Sequence, residues 1–179
     1  VQPGESPHSY DPTPRQMAAL DRADVYFKIG VPFEKTLLNK IRSQMPSLTI
    51  ADTIRNIQRR SLASHRHPEE PNAAQGQAHS ETHAYEDQDH SEESEHREGT
   101  DPHTWMDPDL VKIMGREIQD ALIQLDPDGA SRYRTNYQAF QQDLEAVDQR
   151  PHQTLTPFKG EKMFVYHPAF GYFADAYGL

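Results

Sequence analysis

From Ser64 to Thr100 the chain carries one large apolar residue, Tyr85, in a run of Glu, Asp, Gln, Ser and His. Such a stretch buries too little surface to offset the entropy of ordering it. It reads as a disordered loop, and any folded core must come from the residues on either side. The whole chain has 179 residues, room for one ordinary domain or two small lobes.

The flanks alternate helix and strand signals. Thr13-Pro14-Arg15-Gln16 is a helix start: Thr13 caps, Pro14 suits the first helical position, and Gln16 completes a capping box. That helix runs to about Arg22. Asp24 to Ile29 has the β-branched and aromatic content of a strand, ended by Gly30. Phe33, Leu37, Leu38, Ile41 and Met45 then fall at helical spacing, and Leu48 to Ala51 is a second short strand. Alternation of this kind predicts an α/β fold with a parallel sheet and crossover helices. Beyond the polar stretch, Asp107-Pro108 caps a helix with Val111, Met114, Ile118, Ala121, Leu122 and Leu125 as its apolar stripe, ended by Pro127. A second helix spans about Gly129 to Gln149, with Tyr133, Tyr137, Phe140, Leu144 and Val147 on one narrow face. At 1.5 Å per residue it is about 30 Å long. Met163 to Tyr166 reads as a strand. His167-Pro168 turns into a last helix carrying Phe170, Phe173 and Tyr177, with Gly178 as its C-cap.

Composition narrows the chemistry. A net charge of -10 with only 18 Lys and Arg argues against a nucleic-acid partner. No apolar run approaches the ~20 residues of a membrane-spanning helix. No basic segment followed by an apolar one opens the sequence, so no signal peptide is read there, as in a mature exported chain. With no cysteine, a borderline metal has to be held by His with Asp or Glu.

The 10 histidines divide by context. His65, His67, His79, His83, His90 and His96 lie in the polar stretch, a weak accessory metal-collecting tract or simply a solubilising linker. His8, His103 and His167 each stand at a junction leading into a helix, beside Pro7, Pro102 and Pro168, which restrict the local backbone. Ligands of α/β sheets gather outside the carboxyl ends of strands. Three neutral imidazoles converging there at about 2.0–2.1 Å suit Zn²⁺, leaving a fourth position for a carboxylate or water. The bland reading of each, taken singly, is a solvated or structural loop histidine. His152, between Pro151 and Gln153, has no such junction and reads as a surface residue.

Four segments resemble the zinc- and manganese-binding solute-binding proteins of ABC metal importers, a cluster that includes lipoprotein adhesins. They are Pro3 to Pro14 around His8, Ala23 to Glu34, Asp101 to Pro108 around His103, and Tyr166 to Phe173 around His167 with Tyr177-Gly178-Leu179. The likeness covers nearly the whole chain outside the polar stretch. It implies His8, His103 and His167 as the first three metal ligands and a two-lobed α/β fold whose parallel sheets are joined by a long rigid helix. On that pattern 1–127 is the N-terminal lobe (with the His-rich acidic loop at about 64–100), 128–150 the inter-lobe helix and 151–179 the start of the C-terminal lobe. The usual first strand and most of the second lobe, with its Asp ligand, have no counterpart here, so the second lobe reads as incomplete and its uncovered apolar helix faces as prone to self-association.

The resemblance implies a protein that performs no catalysis. It captures Zn²⁺ in the inter-lobe cleft at the periplasmic or extracellular face of the bacterial cytoplasmic membrane, lipid-anchored or free, and delivers it to an ABC-type permease. The full-length protein is expected to be a monomer. Zinc affinity is expected to fall as protons compete for the imidazoles. His at the third position and the acidic His-rich loop favour Zn²⁺ over Mn²⁺. A manganese-binding member and a surface adhesin of the same fold remain as alternatives. A zinc hydrolase is less favoured, because no His-Glu-x-x-His helix or general base accompanies the three histidines.

Overall fold

The structure, a computed structural model, describes residues 10–61 and 99–179. It divides into one unit of Val1–Arg59 with Pro102–Leu179 and a second of Arg60–Asp101. His8 and the six histidines between 64 and 100 lie outside the described residues.

The first unit opens with α1, Pro14–Leu20, where the capping box forms as its sequence dictates: the Thr13 hydroxyl oxygen accepts from the Gln16 N–H and the Gln16 side chain accepts from the Thr13 N–H. The helix ends at Leu20 with Asp21 as its C-cap, just short of Arg22. Strand β1, Val25–Lys28, and strand β2, Thr49–Asp52, pair in parallel with Val25 opposite Thr49 and Lys28 opposite Asp52. Helix α2, Glu34–Gln44, makes the crossover. Leu37, Leu38, Ile41 and Met45 of this segment are buried with Leu48, against Met17, Leu20, Tyr26, Phe33 and Ile50. Each such aliphatic side chain contributes about 1.5–3 kcal/mol relative to its exposed state.

The turn between β1 and α2 is fixed by a buried carboxylate. Glu34 accepts hydrogen bonds from the Tyr26 hydroxyl (2.9 Å), the Ile29 N–H (3.1 Å) and the Gly30 N–H (2.6 Å). Burial, with the Glu34 charge adding to it, holds the Tyr26 phenol well above its ordinary range, so it keeps its donor proton.

Helix α3, Pro108–Leu125, is capped by Asp107, whose carboxylate accepts from the Asp109 N–H at 2.8 Å. It has two working faces rather than one stripe. Leu110, Ile113 and Met114 pack on Ile54, Ile57 and Ile29. Glu117, buried on the same side, pairs with Arg55 and accepts from the Asn56 amide. The other face meets α4, Ala130–Leu155. There Gly115 permits close approach, since a Cβ would stand 3.0 Å from the Phe140 ring and 3.1 Å from that of Tyr137. The Tyr137 hydroxyl donates to the Lys112 carbonyl at 2.9 Å. Leu125, placed by its spacing on the apolar stripe, is instead exposed.

Two sequence expectations are corrected. Helix α4 does not stop at Gln149: it continues through Pro151 to Leu155. Proline forfeits one helical hydrogen bond, and the continuation places His152 against Tyr177 and Asp148. Met163 to Tyr166 forms no strand. No described strand pairs with it, and a β-rich composition without a ladder partner makes no strand: Phe164 and Tyr166 are almost wholly exposed. The chain then turns into α5, Gly171–Tyr177, which ends on Gly178 in the left-handed region (φ 73°), the C-cap that only glycine adopts without strain. Gly160 donates to the Gly178 carbonyl at 2.7 Å, closing the base of this excursion.

In the second unit, Ser61 and Thr100 form an antiparallel bridge and the Asp101 N–H donates to the Arg60 carbonyl at 2.8 Å.

Candidate metal centre

His103 is placed by a short 3-10 turn. It stands at the N-cap of Thr104–Met106, and its carbonyl accepts the Met106 N–H at 3.1 Å. Thr104 is fully buried and its hydroxyl reaches the Met114 sulfur at 3.7 Å, so the turn is anchored to α3. The His103 side chain is itself buried, with its ring 5.3 Å from that of Trp105 in an edge-on arrangement. His167 comes after the exposed segment 163–166; its carbonyl accepts the Ala169 N–H at 2.8 Å, a turn that leads into α5.

The two histidines meet. Their ring centroids lie 5.3 Å apart with planes at 87°. His167 thus leads into α5 through a turn rather than lying at a strand end as its sequence context suggests. Among the described residues no group of three or more His, Asp or Glu is gathered for a metal; His8, the third residue of the expected set, lies outside them. His152 is exposed as expected, but it is not idle: its Nε2 lies 3.3 Å from the Asp148 carboxylate and its ring packs 4.9 Å from that of Tyr177.

Where α5 packs on α4 lies a polar junction that sequence reading missed. The Tyr177 hydroxyl donates to Asp148 at 2.6 Å and the residue is buried. Burial and this hydrogen bond hold its phenol well above the ordinary range, with Asp107 and Asp109 also nearby. Burial likewise raises Asp107 above the usual carboxylate range, against the pull of the Asp109 and Leu110 N–H groups. Lys112 pairs with Asp109 at 2.9 Å, a bond that raises the lysine. The one signal in the sequence was the Asp148–His152 spacing, four apart on a helix.

His103 and His167 thus bring two imidazoles together from separate segments of an α/β chain. Comparison with known proteins gives the family. The chain belongs to the ZnuA family, zinc-uptake complex component A, periplasmic, which it matches over residues 1–179. That family consists of metal-binding transport proteins, not enzymes. The manganese-binding lipoprotein MntA of Halalkalibacterium halodurans is 28% identical over 180 residues, covering 98% of this chain and 48% of that protein. The high-affinity zinc uptake system protein ZnuA of Paracoccus denitrificans is 38% identical over 81 residues, 45% of this chain and 25% of its own length. The crystal structure of a ZnuA deletion mutant with zinc bound superposes with a TM-score of 0.75 at 28% identity, covering 100% of this chain and 57% of the other. The α/β fold is therefore that of the ZnuA-like binding proteins, and the chain spans about half the length of those it matches end to end. No helix among the described residues is long and apolar enough to cross a membrane.

Proposed function

We propose that this chain contributes His8, His103 and His167 to the cleft of an extracytoplasmic protein that captures Zn²⁺ and hands it to an ABC-type permease. The observation that carries this reading is the His103–His167 spacing. Two imidazoles on one tetrahedral zinc, with Zn–N at about 2.0–2.1 Å, have ring centroids roughly 5 Å apart, and the observed separation is 5.3 Å. In this reading 1–127 forms the first lobe, 128–150 the inter-lobe helix and 151–179 the start of the second lobe. His8 supplies the third nitrogen, and the zinc uptake relatives support Zn²⁺ as cargo.

Calorimetric titration of the full-length protein tests the assignment. His8→Ala combined with His103→Ala is expected to abolish tight zinc binding; unchanged affinity in that double variant would sink it. A second reading, Mn²⁺ as the cargo, is favoured by the MntA relative. Raw affinity favours zinc over manganese at nearly any such site, so the deciding measurement is the metal retained by protein purified from cells supplied with both: zinc is expected, and manganese retained instead would reassign the cargo. The His-rich tract is assigned an accessory role: deleting Ser64 to Gly99 should remove weak extra equivalents and leave the tight site.

A further inference from the structure

We propose that Trp105 is a positioning residue for the metal: its indole pre-sets the His103 imidazole, so that zinc meets a ligand whose ring orientation is already chosen. The inference rests on the reading that His103 and His167 hold the ion.

Trp105 is a large apolar side chain standing outside the core. It is 39% exposed, and among the described residues neither apolar cluster includes it. It lies two residues past His103, inside the 3-10 turn Thr104–Met106. That turn is firmly mounted. The Thr104 N–H donates to the Pro102 carbonyl at 2.8 Å, and the Asp107 N–H donates to the Thr104 carbonyl at 3.3 Å. The fully buried Thr104 ties the turn to Met114 of α3, and α5 packs on it as well. A fixed backbone therefore carries both His103 and Trp105, and their rings meet at 5.3 Å with planes at 69°. The His103 ring thus has two steeply inclined ring neighbours: Trp105 from its own turn and His167 from a separate segment.

Contact between aromatic rings depends on orientation, because a ring is negative on its face and positive at its edge. The outer torsion of a histidine side chain is broad and weakly structured. A metal takes the imidazole nitrogen in the plane of the ring, so freedom about that torsion is given up on binding. An indole held beside the imidazole removes part of that freedom beforehand, which raises affinity without adding a ligand. His103 is buried and has further interactions, so Trp105 supplies a share of the restriction. Ordering one side chain is worth about two- to tenfold in affinity, and the loss expected without the indole lies within that range.

The test is zinc titration of the full-length protein against a competing chelator, with thermal unfolding in parallel. Trp105→Leu, which keeps apolar bulk and removes the ring, should weaken zinc affinity about three- to tenfold. Trp105→Phe, which restores a ring, should recover most of that loss. Wild-type affinity in Trp105→Leu would overturn the proposal, as would equal losses in the Leu and Phe variants whatever their Tm. Nuclear Overhauser contacts in the unsubstituted protein give a second measurement that needs no variant to fold. Contacts between the indole and the His103 ring are expected both before and after zinc is added. Contacts that arise only with zinc would also overturn it, since the indole would then follow the ligand instead of pre-setting it. Retained zinc affinity in His103→Ala would instead overturn the metal-site reading on which the proposal rests.

Discussion

Glu34 organises the first half of the fold by a simple device: one buried carboxylate accepts a phenol and two backbone N–H groups at the exit of β1. Removing it leaves three donors without their acceptor, and buried unsatisfied groups cost about 1–3 kcal/mol each. Glu34→Ala is expected to destabilise the protein by roughly 3 kcal/mol in chemical unfolding, with Glu34→Gln costing less because an oxygen acceptor remains. The residue was invisible in the sequence, where Glu34 is merely the start of a helix. His103 and His167 were legible because each sits beside a proline at a junction before a helix. The Asp148–Tyr177 bond was not: its partners stand 29 apart in sequence, and only the packing of α5 on α4 brings them together.

At the scale of elements, local chemistry was readable wherever a cap or a turn carried it. The Thr13 capping box, the Asp107 cap and the Gly178 C-cap all form. What local pattern could not supply was pairing. Met163 to Tyr166 has strand composition but no described ladder partner, and α4 runs through Pro151 because contacts from α5 outweigh one lost hydrogen bond. The α3–α4 contact depends on Gly115, so Gly115→Leu should cost about 1–3 kcal/mol through overpacking against Tyr137 and Phe140. Between those helices Asp126 accepts from the Tyr133 hydroxyl at 2.7 Å and from the Gly129 N–H. These bonds, the Tyr133 one foremost, hold its carboxyl below the usual range. A lowered folded value stabilises the fold above the ordinary carboxylate range and loses that contribution as pH falls through the lower value. The Tm difference between the wild type and Asp126→Ala should therefore be full at neutral pH and shrink under acid.

Across the whole molecule, the parallel β1–β2 pair with its α2 crossover and the two long helices α3 and α4 were foreseen as an α/β arrangement, and the ZnuA family match places them in one known fold. The proposed function rests on imidazoles from separate segments converging on one ion. X-ray absorption at the zinc edge, on the full-length protein loaded with one equivalent, reads that convergence directly. The account predicts three imidazole nitrogens at about 2.0–2.1 Å, falling to two in His167→Ala. A zinc shell made of oxygen alone, or one unchanged by the loss of His167, would contradict it.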